Sequence, residues 1–221
     1  FLALFGPMLT GIPEVAEHSS GSSWQWFVPA ILLMLTLFGT AQGTGFGLQT
    51  ELTTGSFERL AVTPMNRAAI LVGRSLKDVA ELLVQALLIV VVTIPFGFDL
   101  YLFGALAGFA MLAVVGVAMG ALTSALAIAT QKSPETLYIV QTMLLFPLLF
   151  SSGMILPLDM GPGWLSVVGD LNPFKYVVDA IRLLFEGTIV DMTVAYGWVA
   201  ALGMAVLGLM LGVRGMRKAA A

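Results

Sequence analysis

The chain contains no cysteine and one histidine, His18, and charged residues make up only 10% of its 221 residues, against about 25% in soluble domains. The absence of cysteine excludes disulfides, thiolate chemistry and cysteine-ligated metals. His18 lies beside Glu14 and Glu17, an arrangement more typical of a solvated loop than of a metal site. No HExxH motif and no Gly-Lys-Ser/Thr triplet occurs, so the sequence offers neither a metallopeptidase motif nor a P-loop.

The long apolar stretches of the chain also lack charge. No Asp, Glu, Lys, Arg or His lies near the middle of any of them. A charge at the bilayer centre costs roughly 2.5–3.5 kcal/mol on insertion scales, and chains that keep one usually use it for proton or ion coupling. We therefore expect neither an intramembrane enzyme nor a transporter that is driven by protons from within this chain.

Apolar sequence dominates what is present, with 58% hydrophobic residues and a mean hydropathy of +0.97. These values predict an all-α, polytopic transmembrane helical bundle that forms one domain over residues 1–221. Because about 20 apolar residues cross a bilayer, five full spans are predicted, at about 26–48, 76–96, 102–128, 137–156 and 194–213. The opening FLALFGPML has no methionine and no basic flank. We interpret it as the outer end of a sixth span in an N-terminally truncated chain.

The basic residues predict the orientation, because cytoplasmic loops carry an excess of Lys and Arg. One side of the predicted bundle holds eight of the ten: Arg59, Arg67, Arg74, Lys77, Lys132, Arg214, Arg217 and Lys218. Lys175 and Arg182 fall on the other side, together with all four tryptophans, which are typical of a membrane interface. We therefore expect the loop after the first full span and the C-terminus to lie in the cytoplasm.

Local signals on the cytoplasmic side predict a helix start and two ion pairs. Ser133-Pro134-Glu135 offers an N-cap, a proline at the first helical position and an acid at the positive end of the helix dipole. In the helix that leads into the second span, Arg74 and Asp78 stand at i,i+4 spacing. Lys77 and Glu81 have the same spacing, so both pairs are predicted to interact.

The segment 157–186 is the longest predicted non-spanning stretch and falls on the outer side. Asn172 as N-cap and Pro173 at the first position start a helix of about fourteen residues. Its charged residues recur every three or four positions and share one face: Lys175, Asp179, Arg182 and Glu186. The remainder is apolar, which predicts a helix in the outer-leaflet interface before the last span. It is either a lid over a loop or a part of the gate for substrate exit.

Glycines recur at small-residue spacing in three strings within two predicted spans, at 39–47 in the first and at 104–108 and 116–120 in the third. This spacing permits close helix approach in lipid, and ordinary packing is the preferred interpretation. In the alternative, the first string bends and lines a path. The polar residues within the spans are neutral, and the predicted substrate path comprises Gln42, Thr44, Gln141 and Thr142. A neutral path suits an amphiphilic or apolar substrate better than an ion.

A compact charged segment, 51–64, stands between two apolar runs on the predicted cytoplasmic side. It reads Glu51-x-x-x-Gly55-x-x-Glu58-x-Leu60-x-x-Thr63-Pro64 and resembles the cytoplasmic loop of type-two ABC exporter permeases, the membrane subunits of drug, polysaccharide and lipid exporters. Farther on, Ser152-Gly153-x-x-x-Pro157 and Asn172-Pro173-Phe174-x-Tyr176-x-x-Asp179-x-x-Arg182 resemble that family's outer segment. The ordered set of motifs covers nearly the whole chain.

The resemblance implies a permease that binds a separately encoded ATP-binding-cassette ATPase through a coupling segment, 51–66. The motif positions carried over are Glu51, Gly55, Glu58, Leu60, Thr63 and Pro64. Phe57 and Arg59 are added on physical grounds, since Phe57 can bury in a partner groove beside Leu60 and Arg59 can form a charge pair. ATP and Mg would reside on the ATPase, and we expect no cofactor, no metal and no catalytic residue in this chain.

The resemblance further implies a second permease copy, as a homodimer or a paired permease, in the lipid bilayer of a prokaryotic plasma membrane, with no nucleic-acid partner. The expected function is outward transport of an amphiphilic drug-like molecule or lipid by alternating access. A lipid-linked polysaccharide is the alternative substrate. Two other classes stay open, a nucleotide-independent channel or secondary transporter and a structural membrane subunit. In a third interpretation the charged segment only anchors its loop to lipid headgroups.

Overall fold

The computed structural model describes residues 23–54, 67–131, 133–155, 157–158 and 161–219. Within these ranges the chain is helical and has no β-strand. The α-helices of these ranges are α1 Ser23–Thr40, α2 Gly47–Thr53, α3 Arg67–Thr93, α4 Leu102–Ala129, α5 Pro134–Phe150, α6 Gly163–Leu171, α7 Pro173–Phe185 and α8 Met192–Ala219. A six-residue π-helix, Ala41–Phe46, joins α1 to α2 and is called the π-segment. A 3₁₀ turn, Ile94–Phe96, follows α3.

Four helical stretches of the described chain are long and apolar enough to cross a membrane: Trp24–Thr53, Gly73–Phe96, Leu102–Ala129 and Met192–Gly215. They coincide with four of the five predicted full spans. The remaining one corresponds to α5, which is apolar but has only 17 residues, fewer than the roughly 20 that a span needs. The predicted all-helical fold is confirmed, and these stretches identify an integral membrane protein.

The predicted fourth span, 137–156, is shorter in the structure because α5 ends at Phe150. The Ser152 hydroxyl donates a hydrogen bond to the Leu149 carbonyl at 2.7 Å and so satisfies a carbonyl that lacks a partner at the helix end. Gly153 then has a φ of 72°, in the left-handed region that glycine adopts most easily. A side-chain hydrogen bond and a glycine turn therefore stop the helix within an apolar sequence.

Large apolar side chains are exposed along α3 and α8. Those on α3 are Leu76, Val84, Leu87, Leu88, Val91 and Val92, and those on α8 are Met192, Tyr196, Val199, Leu202, Val206, Leu207, Met210 and Leu211. Soluble monomers rarely expose apolar surface of this extent. Such helix faces fit a chain whose surroundings are lipid.

The described residues form two compact units. The first takes its described residues from Phe1–Met34, Leu83–Leu112 and Pro147–Ala200, and the second from Leu35–Leu82, Ala113–Phe146 and Ala201–Ala221. In the first unit the fully buried Phe185 of α7 packs against Phe98 and against Phe109 of α4, with ring centroids 5.8 Å apart in both pairs. These rings fix the C-terminal end of α7 within its unit.

The core of the second unit contains α2. Leu48 is fully buried in a cluster with Ala127, Ile128 and Leu137, which come from α4 and α5. Helix α4 approaches α3 closely, since a Cβ added at Gly120 would lie 2.5 Å from the Ser75 Oγ. This contact agrees with the close packing that small-residue spacing predicts.

Candidate functional site

The predicted coupling segment begins at the end of α2, and Glu51 is the only one of its site residues within the described part of the chain. Gly55, Phe57, Glu58, Arg59, Leu60, Thr63 and Pro64 lie outside the described residues, so their roles stay predictions. The half-buried Glu51 forms an ion pair with Arg74, with 2.5 Å between Oε2 and Nη2. Because Arg74 belongs to α3, the pair joins the helix before the segment to the helix after it.

The prediction that Arg74 pairs with Asp78 is wrong, because Arg74 reaches Glu51 instead. The other predicted pair is confirmed, with 3.1 Å between the Lys77 Nζ and Glu81. The two predicted pairs differ in outcome because their basic side chains differ in exposure. The side chains of Lys77 and Glu81 are 71% and 68% exposed and find partners on their own helix, whereas Arg74, at 16%, contacts another element.

Asp78 contacts the π-segment. Its carboxylate accepts a hydrogen bond from the Thr44 hydroxyl, and its side chain is only 12% exposed. A Cβ added at Gly43 would lie 2.9 Å from the Asp78 Oδ2, so the glycine leaves room for the carboxylate beside the helix backbone. Lys77 lies near the same carboxylate, at 3.9 Å from Oδ1. Asp78 thus joins α3 to the π-segment through a hydrogen bond with the buried Thr44.

Gln141 of α5 also contacts the π-segment. Its Nε2 donates a hydrogen bond to the Ala41 carbonyl at 2.7 Å, and the side chain is buried. A π-helix bonds each carbonyl five residues ahead rather than four, so its backbone groups depart from the regular α-helical pairing. Gly45 makes room for this contact, since a Cβ there would lie 3.3 Å from the Gln141 Nε2.

The structure places the predicted path residues as follows. Thr44 belongs to the π-segment and Gln141 contacts it, and the polar atoms of both are used in hydrogen bonds within the chain. Gln42 is exposed on the π-segment, and Thr142 is half-buried on α5. Gln42 is therefore the member of the set that presents its side chain at the surface, and the substrate path itself stays a prediction.

Gln49 of α2 bonds the chain just beyond α4, a contact that the sequence did not predict. Its buried side chain donates from Nε2 to the carbonyls of Thr130 and Gln131, at 3.3 and 3.4 Å, beyond the end of α4. The available signal was a glutamine beside the apolar Leu48, a polar group that needs a partner if the helix is buried. Gln49, Leu48 and Glu51 together bind α2 to three other elements of the second unit.

The chemistry of this site is hydrogen bonding and ion pairing. Among the described residues, no group of three or more His, Cys, Asp or Glu side chains is placed to hold a metal ion. These contacts join the π-segment and α2 to α3, α4 and α5, and α2 leads into the predicted coupling segment. Such an arrangement can transmit a displacement between helices.

The predicted outer helix is present as α7, and its start is as predicted. Asn172 accepts a hydrogen bond from the Phe174 backbone N–H at 3.0 Å through its Oδ1, and Pro173 occupies the first turn. The amide Nδ2 of Asn172 also donates to the Leu148 carbonyl at 2.7 Å and to the Ser151 hydroxyl at 2.9 Å. One side chain therefore caps α7 and binds the end of α5 to it.

The four charges of this helix differ in exposure and in their partners, which the sequence did not predict. Arg182 is 6% exposed, and its Nη2 donates to the Gly153 carbonyl at 3.0 Å. Its Nη1 also lies 3.2 Å from the Asp179 carboxylate. Lys175 is paired instead with Asp170 of α6, at 2.6 Å, and Glu186 is half-buried just beyond the helix. Arg182 can be buried because carbonyls and an acid from its surroundings satisfy the guanidinium.

The environments of the two basic residues shift their pKa values in opposite directions. Burial lowers the pKa of the Arg182 guanidinium to about 10, against the opposing effect of Asp179. The hydrogen bond to Asp170 raises the pKa of Lys175. Both groups are therefore cationic at neutral pH, and Arg182 stays charged within the first unit.

Comparison with known proteins gives one family and several relatives. The family model described as ABC-2 type transporter matches residues 1–185. The daunorubicin resistance ABC transporter permease protein DrrB1 of Streptomyces coeruleorubidus is 28% identical over 190 residues, which cover 85% of this chain and 65% of that protein. The ycf38 protein of Cyanophora paradoxa, named as a transport permease, is 30% identical over 190 residues, with coverage of 84% and 64%.

A further relative is YbhR of Escherichia coli strain K12, named as a multidrug ABC transporter permease. It is 25% identical over 174 residues, which cover 76% of this chain and 46% of that protein. The chain thus spans slightly less than two thirds of the length of DrrB1 and ycf38, and less than half of YbhR.

Proposed function

This chain belongs to the ABC-2 type transporter family, and from that premise we propose that it is the permease of an ATP-driven exporter whose ATPase is a separate chain. The permease moves its substrate outward by alternating access. ATP and Mg are bound by the ATPase, and the segment 51–66 docks on that partner. The exporter contains two permease copies, or this chain and a similar permease.

The ion pair between Glu51 and Arg74 is the observation that carries this proposal. The two residues stand on either side of the segment 55–66, one on α2 and the other on α3. A force applied to that segment by a partner acts on both helices at once, because the ion pair joins them. An interfacial anchor for lipid headgroups does not need such a connection, whereas a coupling element does.

The proposed substrate is an amphiphilic drug-like molecule or a lipid. The name of DrrB1 refers to daunorubicin resistance, and the apolar spans of this chain suit a molecule of that type. A lipid-linked polysaccharide is the second candidate. The proposed membrane is a prokaryotic plasma membrane, and the C-terminus of the chain is proposed to lie in the cytoplasm.

The test is reconstitution of the permease with its cognate ATPase in proteoliposomes, with daunorubicin as the probe. We expect transport that requires ATP, and lower transport with less ATPase co-purified for Phe57→Ala and Glu58→Lys. Asp99→Lys, which changes an exposed charge on the opposite predicted side, is the control and should transport normally. Normal export by both coupling variants would refute the docking role.

The rival classes give other results in the same vesicles. An autonomous channel or secondary transporter moves the probe without nucleotide. A structural subunit gives no ATP-dependent transport of any probe and no stimulation of the ATPase by a substrate. ATP-dependent uptake that is lost only in the coupling variants therefore separates the proposed exporter from both.

A further inference from the structure

The π-segment interrupts a helical stretch that otherwise runs from α1 through α2. Six residues, Ala41–Phe46, adopt the wider helix, and the N–H of Gly47 reaches the carbonyls of both Gly43 and Thr44. A π-turn of this kind is equivalent to one additional residue inserted into an α-helix. The direction in which α2 presents its side chains therefore depends on the register of the π-segment.

Two side chains from different helices contact this segment within the second unit. Asp78 of α3 accepts the hydrogen bond of Thr44, and Gln141 of α5 donates to the Ala41 carbonyl at 2.7 Å. Thr44 and Gln141 are buried, as is Ala41. Both contacts are made to residues of the π-segment itself, which precedes α2.

The contacts of α2 fit only one register. An α-helix turns by about 100° and rises about 1.5 Å per residue, so a change of one residue in the π-segment would turn α2 by about 100°. A side chain about 5 Å from the helix axis would move by about 8 Å. Glu51 would then leave Arg74, and Gln49 would leave the carbonyls beyond α4.

We propose that Asp78 and Gln141 are positioning residues for the coupling segment, because they hold the π-segment in the register that places Glu51 against Arg74. The π-segment is a joint with two registers, and displacement of the coupling segment by the ATPase changes the register. This inference rests on the proposed function, since it assigns a mechanical role to residues that precede the docking segment.

The absence of cysteine from the chain makes the register measurable. Thr53→Cys on α2 and Ala80→Cys on α3 replace exposed residues and accept spin labels without any other change. Labelled permease is mixed with excess unlabelled permease and its ATPase in nanodiscs, so that only distances within one chain are read. Spectra are recorded without nucleotide and with a non-hydrolysable ATP analogue.

Asp78→Leu and Gln141→Met each remove one contact of the π-segment. We expect both to shift the distance distribution without nucleotide toward the one that the ATP analogue produces in the parent. We also expect the ratio of substrate exported to ATP hydrolysed to fall about tenfold, within the usual range of coupling effects. Asp78→Asn keeps an acceptor for Thr44 and should behave as the parent.

Gln85→Met is the matched control for Gln141→Met, because Gln85 is exposed on α3 and the replacement is the same. It should leave both the distances and the export ratio unchanged. Deletion of Gly43 removes the additional residue of the π-turn and should give one distance distribution with and without nucleotide.

The inference is overturned if Asp78→Leu and Gln141→Met keep the parent distances and export ratio, or if the Gly43 deletion still responds to nucleotide. Gln141→Met preserves side-chain volume. If Asp78→Leu does not fold, the distances and export ratio of Gln141→Met test the inference. The distances without nucleotide are also recorded in nanodiscs that contain no ATPase, where both variants should still differ from the parent. A failure of the proposed function, seen as an ATPase that does not co-purify with the parent, is therefore distinguishable from a failure of this inference.

Discussion

The guanidinium of Arg182 lies 3.4 Å above the ring centroid of Trp26, and its Nε donates a hydrogen bond to the backbone carbonyl of the same residue at 3.3 Å. The two residues are 156 positions apart in the sequence. The contact therefore joins α7 to the first turns of α1 within the first unit. A cation over an indole face in a buried site is stabilising by about 2 kcal/mol.

Arg182→Met should lower the thermal stability of the permease in detergent. The change removes the contact with Trp26 and leaves the buried Gly153 carbonyl without its donor, at a cost of about 1–3 kcal/mol for that group. Arg182→Lys keeps the charge but loses the planar fork, and should recover only part of the stability. The measurement is the midpoint of thermal unfolding at neutral pH, where the pKa of about 10 keeps Arg182 charged.

Lys175→Met is the matched control on the same helix. Its ion pair with Asp170 joins side chains that are 27% and 63% exposed, and exposed pairs contribute only about 0–1 kcal/mol. A loss of stability as large as that of Arg182→Met would show that charge on α7, and not burial of the guanidinium, is what matters.

Glu51→Gln and Arg74→Gln should each reduce the amount of substrate exported per ATP hydrolysed, by about fivefold. The pair is partly exposed, so its effect on stability is expected to be small, at most about 1 kcal/mol. The exchange Glu51→Arg with Arg74→Glu restores the opposite charges across α2 and α3. It should recover part of the coupling in the same proteoliposome assay, which a double-mutant cycle measures.

The same assay can contradict the role of the ion pair. If the exchanged variant couples no better than the two single variants, their losses are independent and the pair does not transmit force. Glu81→Gln is the control, because Glu81 pairs with Lys77 on its own helix and on an exposed surface. It should change neither stability nor coupling.

Asn172→Ala should destabilise α7 and its attachment to α5 together. Loss of the cap costs about 1 kcal/mol, and the Leu148 carbonyl loses its donor at a further cost of about 1–3 kcal/mol. Asn172→Asp keeps the acceptor for the Phe174 N–H but loses the donor for the Leu148 carbonyl. Its midpoint of thermal unfolding should therefore lie between those of the parent and Asn172→Ala. Ser166→Ala, which removes a hydrogen bond to Gly163 within α6, should have little effect.

What the sequence predicted correctly is local in the chain. The start of α7 follows from the adjacent Asn172 and Pro173, and the Lys77–Glu81 pair follows from i,i+4 spacing. The partners that were missed are remote in sequence. Arg74 bonds a residue 23 positions away and Gln141 one 100 positions away. Helical periodicity places a polar residue on a face but does not identify the helix that packs there.

The π-segment was only partly predictable, because it combines a local sequence signal with contacts that are remote in sequence. The glycine string that contains it was predicted either to pack closely or to bend, and the small residues were visible in the sequence. The contacts that hold its register were not, because they depend on Asp78 and Gln141 from two other helices. Asp78, near the end of a span, was predicted to pair with Arg74. Gln141, within a span, was predicted to line the substrate path.

Gly104→Ala should be among the most destabilising single substitutions in the first unit. A Cβ at this position of α4 would overlap the Leu184 carbonyl of α7, and backbone cannot move aside as a flexible side chain can. Overpacking of this kind typically costs about 1–3 kcal/mol, occasionally more. Gly203→Ala is the matched control, because nothing lies within 4 Å of a Cβ at that position of α8. It should be neutral or stabilising by up to about 1 kcal/mol through the higher helix propensity of alanine. Thermal unfolding of the two variants in the same detergent compares them directly, and equal stability would mean that α7 does not pack on Gly104.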